Sequence, residues 1–177
     1  YQYSSNTWTK LGQDLVGDPG DYSGISVSLS VDGTIVAIGA HFHDSSNKGR
    51  TRIYQYSSNT STWSQLGQDL VGDPGDYSGQ SVSLSADGTI VAIGAYLHSV
   101  GDEGRTRIYQ YSSNTWIKLG QDLVGDADDQ SGDSVSLSAD GTIVAIGAYL
   151  HDASGGSDHG RTRIYQYSSN TWIKLGQ

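Results

Sequence analysis

The sequence predicts an all-β fold of tandem four-stranded antiparallel units of about 55 residues, either a β-propeller or an open stacked array. Three observations support this prediction. Twelve residues, Gly-Arg-Thr-Arg-Ile-Tyr-Gln-Tyr-Ser-Ser-Asn-Thr, occur unchanged at 49–60, 104–115 and 160–171. Ser, Thr, Val, Ile and Tyr are spread along the chain, and no apolar stripe has helical spacing. Turn-forming Gly and Asp residues separate the strand-like runs.

The repeating units are delimited by Tyr-Gln-Tyr. They cover residues 1–53, 54–108 and 109–164, and a partial fourth copy follows at 165–177. In a repeat array each unit buries its apolar surface mainly against its neighbours. We therefore expect one continuous array, and we expect the chain to be a piece of a longer or processed polypeptide.

Four strand-like runs are clearest in the third unit. Residues 134–138 alternate Val and Leu with Ser, which predicts a strand with one apolar face. Residues 142–148 are apolar on both faces and predict a buried strand. The Asp-Gly pair at 140–141 predicts a tight hairpin between these two runs. Residues 161–167 and 172–177 supply the third and fourth strands.

Residues 77–95 resemble the FG-GAP repeat of integrin α-subunit propellers and their microbial relatives. An aromatic residue, Gly and Ser-Val stand at the Phe-Gly of the family, and Ile-Val-Ala-Ile-Gly-Ala stands at its apolar strand ending in Gly-Ala-Pro. Residues 104–111 resemble the strand that follows. The resemblance implies a degenerate β-propeller repeat. Here the calcium loop of the family is shortened to Val-Asp-Gly at 31–33 and to Ala-Asp-Gly at 86–88 and 139–141, and its Pro is replaced by His41, Tyr96 and Tyr149.

The composition argues against several classes of function. The net charge is −9, from 10 basic and 19 acidic residues, and nucleic acid is an unexpected partner because phosphate binding needs a basic face. No run approaches the roughly 20 apolar residues of a membrane span. The chain has no Cys, a single Glu and no recurring Ser, His and Asp set, so we expect neither an enzyme nor a cofactor.

Candidate metal ligands fall in predicted turns and loops. The repeated Asp-Pro-Gly-Asp turn and its altered third copy cluster carboxylates that could contribute to calcium binding; ordinary turns are the alternative that we favour. These candidates are Asp18, Asp21, Asp73, Asp76, Asp126 and Asp129. The five His residues show no repeated ligand spacing and are expected to be solvated. They are His41, His43, His98, His151 and His159.

Arg, Tyr and Trp recur at fixed positions of the third and fourth strands. We interpret them as packing between units, with some Arg paired to Asp; the alternative is an anionic or sugar ligand held by Arg and stacked on the aromatic rings. The packing set is Tyr54, Tyr56, Tyr109, Tyr111, Trp63, Trp116, Arg52, Arg107 and Arg163. Separately, Asn59 begins the Asn-Thr-Ser glycosylation sequon.

The two ends of the chain duplicate each other, because residues 1–8 and 165–172 are identical. A closed propeller needs complementary ends, so this chain is not expected to close on itself. We therefore expect a non-enzymatic, extracellular or cell-surface structural or adhesive protein that assembles end to end into a filament or a long surface array. Its expected partners are copies of itself or further repeats. The alternative is an integrin-like propeller that binds a protein or glycan through its loops.

Overall fold

The computed structural model of the chain describes residues 1–98, 101–152 and 159–176. These residues form sixteen β-strands and no helix. In chain order the strands are β1 (Gln2–Ser4), β2 (Thr7–Thr9), β3 (Ser26–Leu29), β4 (Ile35–Ala40), β5 (Arg50–Ser57), β6 (Thr62–Gln65), β7 (Leu70–Val71), β8 (Ser81–Leu84), β9 (Ile90–Ala95), β10 (Arg105–Ser112), β11 (Thr115–Lys118), β12 (Leu123–Val124), β13 (Ser134–Leu137), β14 (Ile143–Ala148), β15 (Arg161–Ser168) and β16 (Thr171–Leu175).

The strands form three successive antiparallel blades. Blade 1 has the order β3-β4-β5-β6, blade 2 the order β8-β9-β10-β11, and blade 3 the order β13-β14-β15-β16. This confirms the predicted fold of tandem four-stranded blades. Two short strands were not predicted. β7 pairs with β5, and β12 pairs with β10, so the linker that follows blade 1 or blade 2 contributes one short strand to that blade.

The hairpin between the first two strands of each blade is held by an Asp side chain. In blade 1, Asp32 Oδ1 accepts hydrogen bonds from Ser30 Oγ over 2.7 Å and from the Thr34 N–H over 3.0 Å. The hydroxyl and amide donors lower the pKa of Asp32 because they stabilise the carboxylate. Gly33 has a φ of 69°, the left-handed conformation that an Asp-Gly hairpin requires.

Each pair of neighbouring blades encloses an apolar cluster. Ile53 on blade 1 packs with Val91 and Ile93 on blade 2, and Ile108 on blade 2 packs with Val144 and Ile146 on blade 3. We call the side of a blade that contacts the preceding blade its leading face, and the side that contacts the next blade its trailing face. Val and Leu of the innermost strand belong to the leading face, and the central Ile of the third strand belongs to the trailing face.

Neighbouring blades meet closely along their innermost strands. β3 contacts β8, and β8 contacts β13. The Leu84 N–H donates to Ser28 Oγ over 3.0 Å, and the Leu137 N–H donates to Ser83 Oγ over 2.9 Å. Gly39 permits this approach, because a Cβ there would lie 2.0 Å from the Gly79 carbonyl oxygen.

Farther out, the linker between two blades holds the outermost strand of the next blade. The Trp116 ring N–H donates to the Leu66 carbonyl over 2.8 Å, and Gln68 accepts from the Trp116 N–H over 3.0 Å. The blades are thus in direct contact near their innermost strands and are spaced by a linker near their outermost ones, which is the arrangement of propeller blades around an axis. The sheets do not close into a ring.

The first two strands form a separate exposed hairpin. β1 pairs with β2 through the register Tyr3↔Trp8, which matches Tyr56↔Trp63 in the outer half of blade 1. This hairpin is therefore the outer half of a blade, without an inner half in the described residues. Across those residues no helix is long and apolar enough to span a membrane.

Candidate functional site

A buried cluster of Asp, His and Arg recurs in every blade. It joins the loop that leads into the blade, the loop after its second strand and the start of its third strand. In blades 1 and 2, an Asp from the following linker completes it. The three Asp–His–Arg clusters consist of Asp18, Asp21, His43, Arg50, Arg52 and Asp69; of Asp73, Asp76, His98, Arg105, Arg107 and Asp122; and of Asp126, Asp129, His151, Arg161 and Arg163.

The cluster of blade 2 shows how the charges are paired. Arg105 Nη2 donates to Asp73 Oδ2 over 2.9 Å and also to Asp76. Arg107 Nη2 donates to Asp73 Oδ2 over 2.9 Å, and its Nε donates to Asp122 over 3.1 Å. The side chains of Arg105 and Asp76 are 5% and 2% exposed. Two guanidinium groups therefore share three carboxylates at a largely buried position.

In blades 2 and 3 the His of the cluster is bonded at both ring nitrogens. His98 Nδ1 lies 2.8 Å from Asp76 Oδ1, and its Nε2 lies 3.4 Å from Arg105 Nη1. A neutral ring satisfies both contacts when Nδ1 carries the proton and donates to Asp76, while Nε2 accepts from Arg105. His151 repeats this arrangement with Asp129 and Arg161 at 2.7 and 3.3 Å.

These contacts bear on the calcium hypothesis. Two Asp and one His of each cluster place candidate ligand atoms within 4.8 Å of one another. However, the Arg already occupies the position between the carboxylates, and in blades 2 and 3 the His has no free nitrogen. Hydrogen bonds from Arg105 lower the pKa of Asp73, and those from Arg163 and Arg161 lower the pKa of Asp126 to about 2. The residues do not fit a metal ion and the Arg side chain together.

The prediction that all five His are solvated loop residues was wrong. His43, His98 and His151 are half-buried and contact Asp21, Asp76 and Asp129. Each His follows its Asp by 22 residues. That constant spacing was the signal in the sequence, and a search for short metal-ligand spacings could not find it. His41 is also buried, and burial lowers its pKa.

The predicted packing residues divide into two groups. Trp116 is buried and lies against Tyr111, with 5.2 Å between the ring centroids, and Tyr56 and Trp63 repeat the pair at 5.3 Å. Tyr109 packs against the apolar cluster between blades 1 and 2. Arg52, Arg107 and Arg163, in contrast, form ion pairs with Asp. Tyr54 lines a small cavity of about 10 Å³ beside Arg50 and Arg52.

Asn59 lies in the turn between β5 and β6, and it is exposed. Its use as a glycosylation site stays a prediction. Residues 153–158, in the connection between β14 and β15, lie outside the described residues.

Both ends of the array carry grooves. On the leading face of blade 1, a groove of about 210 Å³ is lined by residues that include Leu11, Leu29, Val36 and Trp63. On the trailing face of blade 3, a groove of about 140 Å³ is lined by residues that include Ser134, Ser136, Ala145 and Thr162. The equivalent faces inside the array, between blades 1 and 2 and between blades 2 and 3, are each covered by a neighbouring blade.

Comparisons with known proteins identify the fold alone. No protein-family model matches the chain, and no curated protein matches it. A crystal structure from Bacteroides uniformis ATCC 8492, provisionally named as a 6-phosphogluconolactonase, is similar with a TM-score of 0.58 and 15% sequence identity. The match covers 85% of this chain and 39% of that protein. This chain therefore spans about two fifths of the length of the structure that it resembles.

That comparison corrects the functional prediction. We expected a non-enzymatic extracellular adhesive or filament-forming protein, or an integrin-like binding module, but the similar structure bears the name of an enzyme. Our prediction that the chain is not an enzyme was wrong as an inference. The lack of a Cys nucleophile does not exclude a reaction that uses other residues. At 15% identity the likeness carries no activity over to this chain. None of the comparisons points to the FG-GAP repeat, which stays a prediction.

Proposed function

We propose that the chain is a scaffold segment of a β-propeller that binds further blades of its own repeat through its two end faces. The supporting observation is that each end face presents one half of the interface that the chain buries internally. The partner of each face is then a blade with the same sequence pattern, from the same polypeptide or from another copy.

Exposure of equivalent residues supports this proposal. Val82 and Leu84 on the leading face of blade 2 are 8% and 7% exposed, whereas Val27 and Leu29 on the leading face of blade 1 are 63% and 59% exposed. On the trailing side, Ile108 of blade 2 is fully buried and Ile164 of blade 3 is 42% exposed. The exposed residues have the types and positions of the buried ones.

Polar groups at the two end faces are also equivalent. Ser26 Oγ donates to the Gly79 carbonyl over 2.8 Å, and Ser81 Oγ donates to the Gly132 carbonyl over 2.8 Å. Ser134 is the corresponding hydroxyl on the trailing face of blade 3, where it is exposed. Gly24 is the corresponding carbonyl on blade 1, and it has the left-handed φ of Gly79 and Gly132. A further blade would meet donors and acceptors that are already in position.

A fourth repeat added to the chain tests the proposal. Residues 69–121 would be copied after Gln177, so that the added blade covers the trailing face of blade 3. Burial of its Val and Leu against that face is expected to raise the free energy of unfolding by about 2 to 4 kcal/mol. Denaturant titration followed by Trp fluorescence measures the change.

A matched control separates packing from added length. The same fourth repeat would carry Ser in place of the residues copied from Val82 and Leu84, and it is expected to give little or none of the gain. Equal stability of the three-repeat chain and the chain with the unaltered fourth repeat would contradict the proposal.

We further propose kinship with FG-GAP repeats and an extracellular or cell-surface location, and the second of these would be supported by use of the Asn59 sequon. Its exposed turn would accept a glycan if the chain passes through a secretory pathway. Mass spectrometry of the chain secreted from eukaryotic cells, with Asn59→Gln as the control, is expected to show a glycan that the variant lacks. An unmodified Asn59 in the secreted chain would contradict use of the sequon.

A further inference from the structure

One Arg on blade 3 has a buried Nε that lacks the partner of its equivalents. Arg52 Nε donates to Asp69 over 3.1 Å, and Arg107 Nε donates to Asp122 over 3.1 Å. Arg163 stands at the same position of blade 3, and its Nε is buried without an acceptor in the described part of the chain. A carboxylate that follows the segment Leu-Gly-Gln would fill this position, as Asp69 and Asp122 do.

The other end of the chain carries such a carboxylate. Asp14 follows Leu-Gly-Gln at 11–13, as Asp69 and Asp122 follow their own Leu-Gly-Gln segments. Asp14 Oδ1 pairs with Lys10 Nζ at 2.8 Å, and its side chain is 77% exposed. Lys118 and Asp122 form the same pair at 2.7 Å, and Asp122 also contacts Arg107. Asp14 therefore has a Lys partner equivalent to that of Asp122. Among the described residues it has no Arg partner.

The two terminal segments can take each other's place. Residues 1–13 and 165–177 differ only by Thr9 and Ile173. Residues 11–13 hold blade 1 through bonds from Trp63 Nε1 to the Leu11 carbonyl over 3.0 Å and from Gln13 Nε2 to the Trp63 carbonyl over 2.7 Å. The same bonds join Leu119 and Gln121 to Trp172 over 2.8 and 2.7 Å. The C-terminal segment of a second copy carries Leu-Gly-Gln again, so it could make these bonds with Trp63.

We infer that two copies of this chain join head to tail, with blade 3 of each copy on blade 1 of the other, Asp14 beside Arg163, and residues 165–177 in the place of residues 1–13. This rests on the proposed function and names a second copy as the partner. The hydrogen bonds that Trp63 makes with residues 11–13 are replaced by identical bonds with residues 175–177 of the second copy. The new interface in addition buries Val27 and Leu29 and supplies an ion pair for Arg163. Two copies supply six blades, within the range of closed propellers.

Sedimentation equilibrium of the full chain tests the inference. At micromolar concentrations we expect an assembly of twice the 18.8 kDa mass of one chain. Leu29→Lys places a charge at the centre of the new interface and is expected to raise the dissociation constant roughly a hundredfold. Asp14→Lys removes the partner of Arg163 and is expected to raise it roughly tenfold. Asp102→Lys makes the same charge change at an exposed residue of another loop and is the control, with no expected effect.

One variant distinguishes segment exchange from simple contact. Gln13→Ala removes two bonds that hold residues 1–13 on Trp63, whereas the glutamine of the second copy's terminal segment is retained. The variant is therefore expected to lower the dissociation constant roughly tenfold. A dissociation constant that is unchanged or raised by Gln13→Ala would overturn the inference.

Larger assemblies, or a folded chain that stays a monomer at these concentrations, would also overturn it. The proposed function is tested independently of this result, because a covalently added fourth repeat covers the end face without a second copy. Stabilisation by the added repeat together with a monomeric natural chain would retain the proposed function and reject the second copy as partner.

Discussion

The leading faces of blades 1 and 2 have nearly the same sequence and very different surroundings. Val82 and Leu84 lie between two blades, where the Leu84 N–H also bonds to Ser28, and Val27 and Leu29 lie against solvent. Both faces have the sequence Ser-Val-Ser-Leu-Ser. The difference in exposure therefore comes from the presence or absence of a preceding blade and not from the sequence of the blade itself. A blade of this repeat is thus half of an interface, and an equivalent substitution should have different costs in the middle and at the end of the array.

The largest effect is expected in the Asp–His–Arg clusters. Arg105→Ala in blade 2 leaves buried Asp76 without its cation and is expected to cost about 3 to 5 kcal/mol of unfolding free energy. Arg161→Ala is the matched change in blade 3, where the side chain is more exposed, and it is expected to cost about half as much. Urea denaturation of both variants measures the costs. Equal costs would show that the end of the array does not weaken its cluster.

The second comparison concerns the central Ile of the third strand. Ile108→Ala removes a side chain that is fully enclosed between blades 2 and 3, at an expected cost of about 2 to 5 kcal/mol. Ile164→Ala is the same change on the open trailing face of blade 3, at an expected cost of about 1 kcal/mol. Thermal unfolding of dilute samples would distinguish the two, and a cost for Ile164→Ala that equals that of Ile108→Ala would contradict the assignment of an open face.

The smallest effect is expected from acid. Arg163 and Arg161 hold the folded pKa of Asp126 at about 2, below the value of about 4 in an unfolded chain. A carboxylate with a lowered pKa stabilises the fold above pH 4, and this stabilisation is lost as the pH falls from about 4 through about 2. Asp126→Asn should therefore be less stable at neutral pH and should lose less stability on acidification.

Denaturant midpoints across this pH range measure the difference. Parallel pH profiles for Asp126→Asn and the natural chain would show that this pair does not contribute to the acid dependence.

The sequence was sufficient to predict the blades. Alternating Val and Leu at 134–138, the doubly apolar run at 142–148 and the Asp-Gly turns are local signals, and the structure places strands and turns there within one or two residues. The predicted order of strands also holds, because short turns leave adjacent strands as neighbours. Packing of Trp116 against Tyr111 follows from their positions opposite each other in the β10–β11 hairpin.

The Asp–His–Arg clusters could not be predicted in the same way. Asp76, His98 and Arg105 meet because the loop before the first strand of a blade lies beside the start of the third strand, which depends on the whole blade. The turn motif alone indicated an ordinary turn, or a calcium ligand as the alternative, for Asp76, and the position of His98 in a loop indicated a solvated side chain. The functional prediction was overturned for a different reason, because the similar structure bears the name of an enzyme, and the repeat pattern describes the packing of strands and not their chemistry.

Amide hydrogen exchange at Leu29 and Leu84, resolved by NMR as a function of concentration, tests most directly whether an end face is half of the internal interface. The Leu84 N–H donates to Ser28 of the preceding blade and is expected to be protected at every concentration. The Leu29 N–H is expected to exchange rapidly in dilute solution and to reach the protection of Leu84 once a further blade covers it. Protection of Leu29 in the dilute monomer, or rapid exchange at a concentration where the chain has assembled, would contradict this account.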